Sequence, residues 1–258
     1  MKWLRLKSGL IMMGILAAVA LYGFAELPVP VYAGSAEETA AAKPYKFTPD
    51  PQLTNVLLLG DSISIGYTLR VRRDLAKVAN VYRPMKPDGT PRNCGSSVTW
   101  TRGSLDRWLT SQPHWDVIHF NVGLHDLKRI DPAKGAQSDD PAFPNAVALK
   151  AYKKNMEKIA ARLKQTGACL IFATTTPSVD SARPLMMPED VVLYNAAAVE
   201  VMKRTGCSID DLYSKVLPRQ DELQTPNNVH FQNQGNIFIG KAVTASIRKA
   251  LSSIRNPE

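Results

Sequence analysis

The sequence has 258 residues, of which 45% are hydrophobic and 21% charged, and its 32 Lys and Arg against 23 Asp and Glu give a formal net charge of +9. The basic residues are spread along the chain, the nearest approach to a cluster being Arg70, Arg72 and Arg73, and no pattern of stacking aromatic residues accompanies them. This argues against a nucleic acid partner, whereas affinity for an anionic cell-surface polymer stays open.

The N-terminal segment has the character of an export signal. The first eight residues carry three basic side chains, and residues 9–25 carry no charge. A basic region followed by an apolar run is typical of a secretory signal, and Ala25 or Ala33 offers the small residue that a cleavage site needs. The apolar run is barely long enough to span a bilayer. We therefore expect residues 1–33 to be a signal peptide or an uncleaved membrane anchor, and the protein to be exported, periplasmic or extracellular.

Residues 34–54 are rich in Ala, Pro and Lys and lack periodicity, which predicts a linker. Residues 55–258 then form one domain, in which apolar runs alternate with helical patterns. The predicted strands are 55–59, 79–82, 116–122 and 169–174, and the predicted helices are 67–78, 146–166, 188–205 and 232–254. Strands alternating with helices indicate an α/β fold, a three-layer α/β/α sandwich with a central parallel sheet.

The most informative stretch is the apolar run that ends in Gly60-Asp61-Ser62. Such a run predicts a strand buried on both faces, and open α/β sheets bind their ligands at the carboxyl ends of the strands. Ser62 is therefore a candidate nucleophile. The alternative is that Asp61 and Ser62 only cap the following helix, since both residue types are common there.

A histidine near the other end of the chain supplies the base that a serine nucleophile needs. His230 is the only histidine after residue 125. Together with other short blocks it makes the chain resemble the SGNH (GDSL-type) hydrolase family over nearly all of residues 55–258. The blocks are Gly60-Asp61-Ser62-Ile63, Gly95 within Asn93-Cys94-Gly95-Ser96-Ser97, Gly123-Leu124-His125-Asp126, and Val229-His230-Phe231.

The resemblance implies a flavodoxin-like α/β/α fold and a serine ester hydrolase without a cofactor. Ser62 would be the nucleophile and His230 the general base. The oxyanion of the tetrahedral intermediate would be bound by the backbone N–H groups of Ser62 and Gly95 and by an asparagine of the third block.

The third block departs from the family pattern. His125 stands where the family has asparagine, and an imidazole N–H can replace an amide N–H. Asn121, four residues earlier, is the fallback donor. The alternative is that His125 only caps the end of the strand and hydrogen-bonds the backbone.

The fourth block departs as well. Asn227 stands three residues before His230, where the family has the aspartate that orients the base. Three alternatives follow: a Ser–His dyad held by Asn227 or a backbone carbonyl, recruitment of Asp221 or Glu222, or a site that no longer catalyses. In a serine protease the Asp-to-Asn exchange lowers the rate about 10⁴-fold.

The remaining candidate ligands give weaker signals. Cys94, Cys169 and Cys207 form no metal motif, and a disulfide between the last two is conceivable. The spacing of His119, His125 and Asp126 does not argue for zinc, so we expect no metal.

The sequence thus predicts an exported ester hydrolase that removes O-acetyl or similar acyl groups from a glycan or a small molecule. An acyltransferase of the same fold and a catalytically silent glycan-binding domain are the alternatives.

Overall fold

The computed structural model describes residues 43–183 and 185–256. The predicted signal or anchor segment, 1–33, and the first part of the predicted linker lie outside these residues. The strands are β1 (Thr54–Leu59), β2 (Ala79–Tyr82), β3 (Val117–Phe120), β4 (Ile130–Asp131), β5 (Ala136–Gln137), β6 (Cys169–Ala173) and β7 (Ser208–Asp210).

Five strands form one parallel sheet in the order β2-β1-β3-β6-β7, and β4 and β5 form a separate antiparallel hairpin. β1 and β3 occupy the centre of the sheet, with Val56 in register with Val81 on one side and Val117 on the other. All three valines are buried. Continuous apolar runs are what a parallel sheet with both faces covered requires.

The main helices are α1 (Ser62–Asp74), α2 (Leu105–Leu109), α3 (Leu149–Lys164), α4 (Pro188–Thr205), α5 (Leu212–Val216), α6 (Gln220–Leu223) and α7 (Asn233–Arg255). A short α-helical turn, Ser97–Thr99, and a π-helical turn, Trp100–Ser104, precede α2. Short 3₁₀ turns are formed by Lys43–Tyr45, Asp180–Ala182 and Leu217–Arg219.

The helices cover both faces of the sheet. α1 packs against α7, and α3 packs against α4. Side chains alternate between the two faces along a strand, so adjacent residues of β3 pack against different layers. His119 meets Tyr67 of α1 edge to face, whereas Phe120 contacts Trp100 on the other face. The predicted three-layer α/β/α sandwich with a parallel sheet is confirmed.

The helix after the first strand begins at Ser62, five residues before the predicted start. Asp61 caps it, with Oδ1 accepting a hydrogen bond from the Ile63 N–H at 2.9 Å. Asp61 therefore caps the helix, and this cap places Ser62 in the first turn of α1. The chain enters this turn through Gly60, where an added Cβ would lie 2.8 Å from the Cβ of Ser64.

Other boundaries differ by a few residues. The strand predicted at 116–122 is shorter in the structure, where it spans Val117–Phe120. The helix at 188–205 lies where it was predicted, and Gly206 ends it in the left-handed conformation with φ 77°. β7 and the β4–β5 hairpin were not predicted, because strands of two or three residues leave no periodicity to detect. Across the residues described here, no helix has both the length and the apolar character that a membrane span requires.

Candidate active site

Ser62 and His230 meet at the carboxyl end of the sheet. Oγ of Ser62 lies 2.8 Å from Nε2 of His230, although 168 positions separate them in sequence. The His230 loop is held by a hydrogen bond from the Thr225 N–H to the His230 carbonyl at 2.8 Å and by one from the Gln224 side chain to the Val229 carbonyl at 3.2 Å. The His230 side of the pair is exposed to solvent.

Asn228 orients the His230 ring. Its Oδ1 lies 2.7 Å from Nδ1 of the imidazole and accepts the His230 backbone N–H at 3.0 Å. A backbone N–H can only donate, so the amide atom that faces it, and therefore faces the ring, is oxygen. Nδ1 then carries the ring proton, and Nε2 is left to accept the proton of the Ser62 hydroxyl.

The structure corrects the role predicted for Asn227. Asn227 has φ 57° and is the third residue of a β-turn that is closed by a hydrogen bond from the Asn228 N–H to the Thr225 carbonyl at 3.0 Å. With Pro226 in the second position, this is the pattern of a type II turn, whose third position requires a positive φ. The residue that contacts the imidazole is the next one, Asn228.

The two acids proposed as substitutes do not contact His230 either. Asp221 lines a separate cavity of about 520 Å³ together with Asn227. Glu222 forms an ion pair with Arg219 at 2.6 Å. The ring is therefore oriented by an uncharged amide.

Asn93 joins the two predicted oxyanion-binding residues, Gly95 and His125. Its Oδ1 accepts the Gly95 N–H at 3.0 Å, and its Nδ2 lies 3.2 Å from Nε2 of His125. Because the Gly95 N–H fixes the oxygen end of the amide, Nδ2 must be the donor to His125. Nε2 of His125 is then an acceptor, and the imidazole N–H is on Nδ1.

Gly95 is suited to this turn by its backbone conformation. Its φ is 70°, and an added Cβ would lie 3.1 Å from Oγ1 of Thr99. Glycine adopts this conformation without strain. In the structure its N–H is engaged by Asn93, so binding of an oxyanion there requires that the N–H be shared or released.

Asn121 does not fill the fallback role predicted for it. Its amide nitrogen donates to the Ala173 carbonyl at 2.9 Å and lies 3.4 Å from Oγ1 of Thr175. Asn121 is buried and ties the end of β3 to the end of β6. The amide N–H groups of Asn121 therefore bind Ala173 and Thr175.

Two titratable side chains beside the site, those of Asp61 and His125, have shifted pKa values. Burial raises the pKa of the Asp61 carboxyl, while His125, the backbone N–H groups of Ile63 and Ser64, and His230 oppose the rise. Burial also lowers the pKa of His125, and the negative charge of Asp61 works against this. A lowered pKa keeps the His125 imidazole neutral at pH 7, as its acceptor role toward Asn93 requires.

Asp126, the neighbour of His125, is fully buried and joins its own loop to the loop that contains Gly95 and Ser97. Its carboxylate accepts the Ser97 backbone N–H at 3.0 Å and the Ser97 hydroxyl at 2.5 Å. Burial raises the pKa of Asp126 to about 7 against the effect of these hydrogen bonds. Asp126 therefore holds the Gly95 loop beside the His125 loop.

The other histidines and the cysteines lie outside this arrangement. His119 is buried with Nε2 3.3 Å from Asp210, and His114 contacts Asp116 at 3.0 Å. The three cysteines are free thiols. In the part of the chain that the structure describes, no three or more His, Cys, Asp or Glu side chains lie close enough together to hold a metal ion.

Sequence reasoning missed Asn93 and Asn228. Both stand two residues before the backbone N–H that their side-chain oxygen accepts, which is the Asx-turn pattern of asparagine. This local signal was available for both residues. At Asn228 it was overlooked because the family spacing pointed to Asn227.

The fold resembles solved esterases and acylhydrolases at low sequence identity. A lipase/acylhydrolase from Enterococcus faecalis is 20% identical with a TM-score of 0.59, covering 76% of this chain and 96% of its own. The acetyl xylan esterase AlAXEase is 16% identical with a TM-score of 0.56, covering 75% and 99%. The acetylxylan esterase Axe2 from Geobacillus stearothermophilus is 15% identical with a TM-score of 0.57, covering 75% and 94%.

None of the curated protein sequences compared with the chain gives a significant match. The model of the GDSL-like lipase/acylhydrolase family matches residues 58–236, which include the loops of Ser62, Gly95, His125 and His230. The chain therefore belongs to the GDSL-like lipase/acylhydrolase family, the SGNH hydrolases.

Proposed function

We propose that the protein is an exported serine ester hydrolase that removes O-acetyl or similar small acyl groups from a glycan, using a Ser62–His230 pair. The observation that carries the proposal is the 2.8 Å contact between Oγ of Ser62 and Nε2 of His230. Asn228 completes the pair, because it keeps the ring proton on Nδ1.

In the first half of the reaction, Oγ of Ser62 attacks the acyl carbonyl carbon while Nε2 of His230 takes the hydroxyl proton. The tetrahedral intermediate collapses to an acyl-serine as His230 returns that proton to the leaving alcohol. In the second half, a water molecule attacks the acyl-serine, His230 takes the proton of the water, and the acid is released as Ser62 recovers its hydroxyl proton.

The negative charge on the carbonyl oxygen needs fixed donors. The Ser62 N–H lies in the first turn of α1, where helical N–H groups have no intrahelical acceptor. The Gly95 N–H and the Nδ1–H of His125 complete the proposed set. Asn93 holds both of the latter residues and is a positioning residue in this scheme.

Two observations and one sequence prediction support an acylated glycan as substrate. Two of the solved structures described above are those of acetylxylan esterases. His230 and Asn228 are exposed, so the pair is open to a substituent on a polymer. The predicted signal segment suits a protein that acts outside the cytoplasm.

The test is hydrolysis of a small activated acetate ester by the purified chain, with Ser62→Ala as the inactive control. Turnover that is abolished by Ser62→Ala supports the hydrolase. Turnover that occurs only when a saccharide acceptor is added would indicate an acyltransferase instead of a hydrolase. Saccharide binding without turnover under either condition would leave only a glycan-binding role.

A further inference from the structure

A second cavity, of about 540 Å³, borders the active-site loops and carries an unusual charge. Among the residues that the structure describes, its charged lining residues are three arginines, Arg83, Arg92 and Arg107, and no aspartate or glutamate. The cavity of similar size beside Asn227 is lined by Asp180 and Asp221 and, in the same described part of the chain, by no basic residue. The positive charge of the arginine-lined cavity is therefore a local feature and does not merely follow the net charge of the chain.

Arg83 is the buried member of the group. It is 5% exposed, and its guanidinium donates to Oγ1 of Thr68 at 2.6 Å, to the Arg92 carbonyl at 2.9 Å and more weakly to Oγ of Ser64 at 3.4 Å. Its Nε has no partner among the residues that the structure describes. All of these acceptors are uncharged. A buried guanidinium that no carboxylate contacts is costly, and an anion in the adjacent cavity would reduce that cost.

Burial lowers the pKa of Arg83, and the charge of the buried Asp61 opposes this only in part, without a hydrogen bond between the carboxyl and the guanidinium. Burial raises the pKa of the Cys94 thiol beside Arg83 to about 11, so the thiol is neutral at pH 7. Arg107 donates to Oγ of Ser104 at 3.1 Å. Within residues 43–183 and 185–256, none of the three arginines forms an ion pair with a carboxylate.

The cavity is connected to the active site through Asn93. Asn93 lines the cavity and also contacts Gly95 and His125. A ligand in the cavity therefore lies next to the loop that would bind the oxyanion, as a neighbouring unit of a polymeric substrate would.

We infer that this arginine-lined cavity is a subsite for an anionic group, a carboxylate or a phosphate, carried by a sugar unit next to the acylated one. The inference rests on the proposed function and deepens it, because it selects acidic glycans among the possible substrates. Arg92 and Arg107 would contact the anion, and Arg83 would add its charge from the inner wall.

The experiment measures binding apart from catalysis. The full chain carrying Ser62→Ala is titrated calorimetrically with trigalacturonate, a phosphorylated trisaccharide and xylotriose at low and at moderate salt. We expect at least one of the charged sugars to bind about tenfold more tightly than xylotriose, and moderate salt to reduce the difference. Arg92→Gln and Arg107→Gln should each weaken that binding by about threefold to fivefold, the size expected for an exposed ion pair.

Arg102→Gln is the matched control, because Arg102 is exposed and does not line the cavity. The inference would be overturned if xylotriose and both charged sugars bound equally, or if neither charged sugar bound. It would also be overturned if Arg102→Gln weakened charged-sugar binding as much as Arg92→Gln and Arg107→Gln do. If the wild-type chain hydrolyses acetate esters but shows one of these results, the subsite fails and the hydrolase stands. If charged-sugar binding depends on Arg92 and Arg107 but the wild-type chain does not hydrolyse acetate esters, the subsite stands and the hydrolase fails.

Discussion

The exchange Asn228→Asp tests whether Asn228 orients the catalytic base. The substitution places a carboxylate oxygen where Oδ1 now lies, 2.7 Å from Nδ1 of His230, without a change in side-chain size. A carboxylate keeps both hydrogen bonds that Oδ1 accepts and adds a negative charge. An adjacent negative charge favours the protonated ring, so the acid limb of the pH–rate profile should move to higher pH.

The expected size follows from the distance and the exposure of the ring. Two unit charges about 3 Å apart interact by about 1.4 kcal/mol in a water-like dielectric, which is the screening suited to this exposed pair. That corresponds to a shift of about one pH unit and to a rate gain of about tenfold above the acid limb. The gain should stay far below the 10⁴-fold effect known from a serine protease, because Asn228 already holds the correct tautomer.

The assay is the pH dependence of kcat for an activated acetate ester between about pH 5 and 9. Asn227→Asp is the matched control, because it adds the same charge to the adjacent turn residue, and aspartate tolerates the φ of 57° at that position. We expect the control to change kcat by less than about twofold. A gain in Asn227→Asp with none in Asn228→Asp would refute the assignment.

Three further predictions concern the loops around the site. Asn93→Ala should lower kcat about tenfold with little change in KM. Asn93→Asp should lower kcat at least as much, because an acceptor that faces Nε2 of His125 favours the tautomer with the proton on Nε2. A change confined to KM would contradict this positioning role. Gly95→Ala should lower the free energy of unfolding by about 1–2 kcal/mol in urea titrations, since φ is 70° there; unchanged stability would show that the turn can relax. With the pKa of Asp126 near 7, the folded state holds a proton that the unfolded chain releases near pH 4, so the free energy of unfolding should fall as the pH rises from about 4 to 7. Asp126→Asn should flatten this slope in urea titrations at several pH values, and a slope as steep as in the wild type would rule out Asp126 as its source.

The central layer of the fold could be predicted because its signal is continuous. The run Val56–Leu59 is buried on both faces, and a strand of that kind has a place only in a covered parallel sheet. The start of α1 was misplaced because Ser62, Ser64 and Gly66 interrupt its apolar pattern, and the cap at Asp61 marks the boundary instead. Periodicity identifies the body of a helix, whereas capping determines where it begins.

The site was predictable where a residue acts by its identity and less so where it acts through backbone geometry. Ser62 and His230 lie in contact, as the motif order indicated. Asn227 and Asn228 are the same residue type, and only the turn decides which of them faces the ring. Asn93 belongs to the second block but was not predicted as a site residue, because its importance depends on the approach of His125 from a different loop.

The most direct test of the central claim is covalent labelling with a fluorophosphonate probe followed by mass spectrometry of the peptides. A single label on Ser62, absent in Ser62→Ala and strongly slowed in His230→Ala, is the result that a Ser62–His230 pair predicts. Labelling that persists unchanged in Ser62→Ala, for example at Ser64 or Ser97, would contradict the claim.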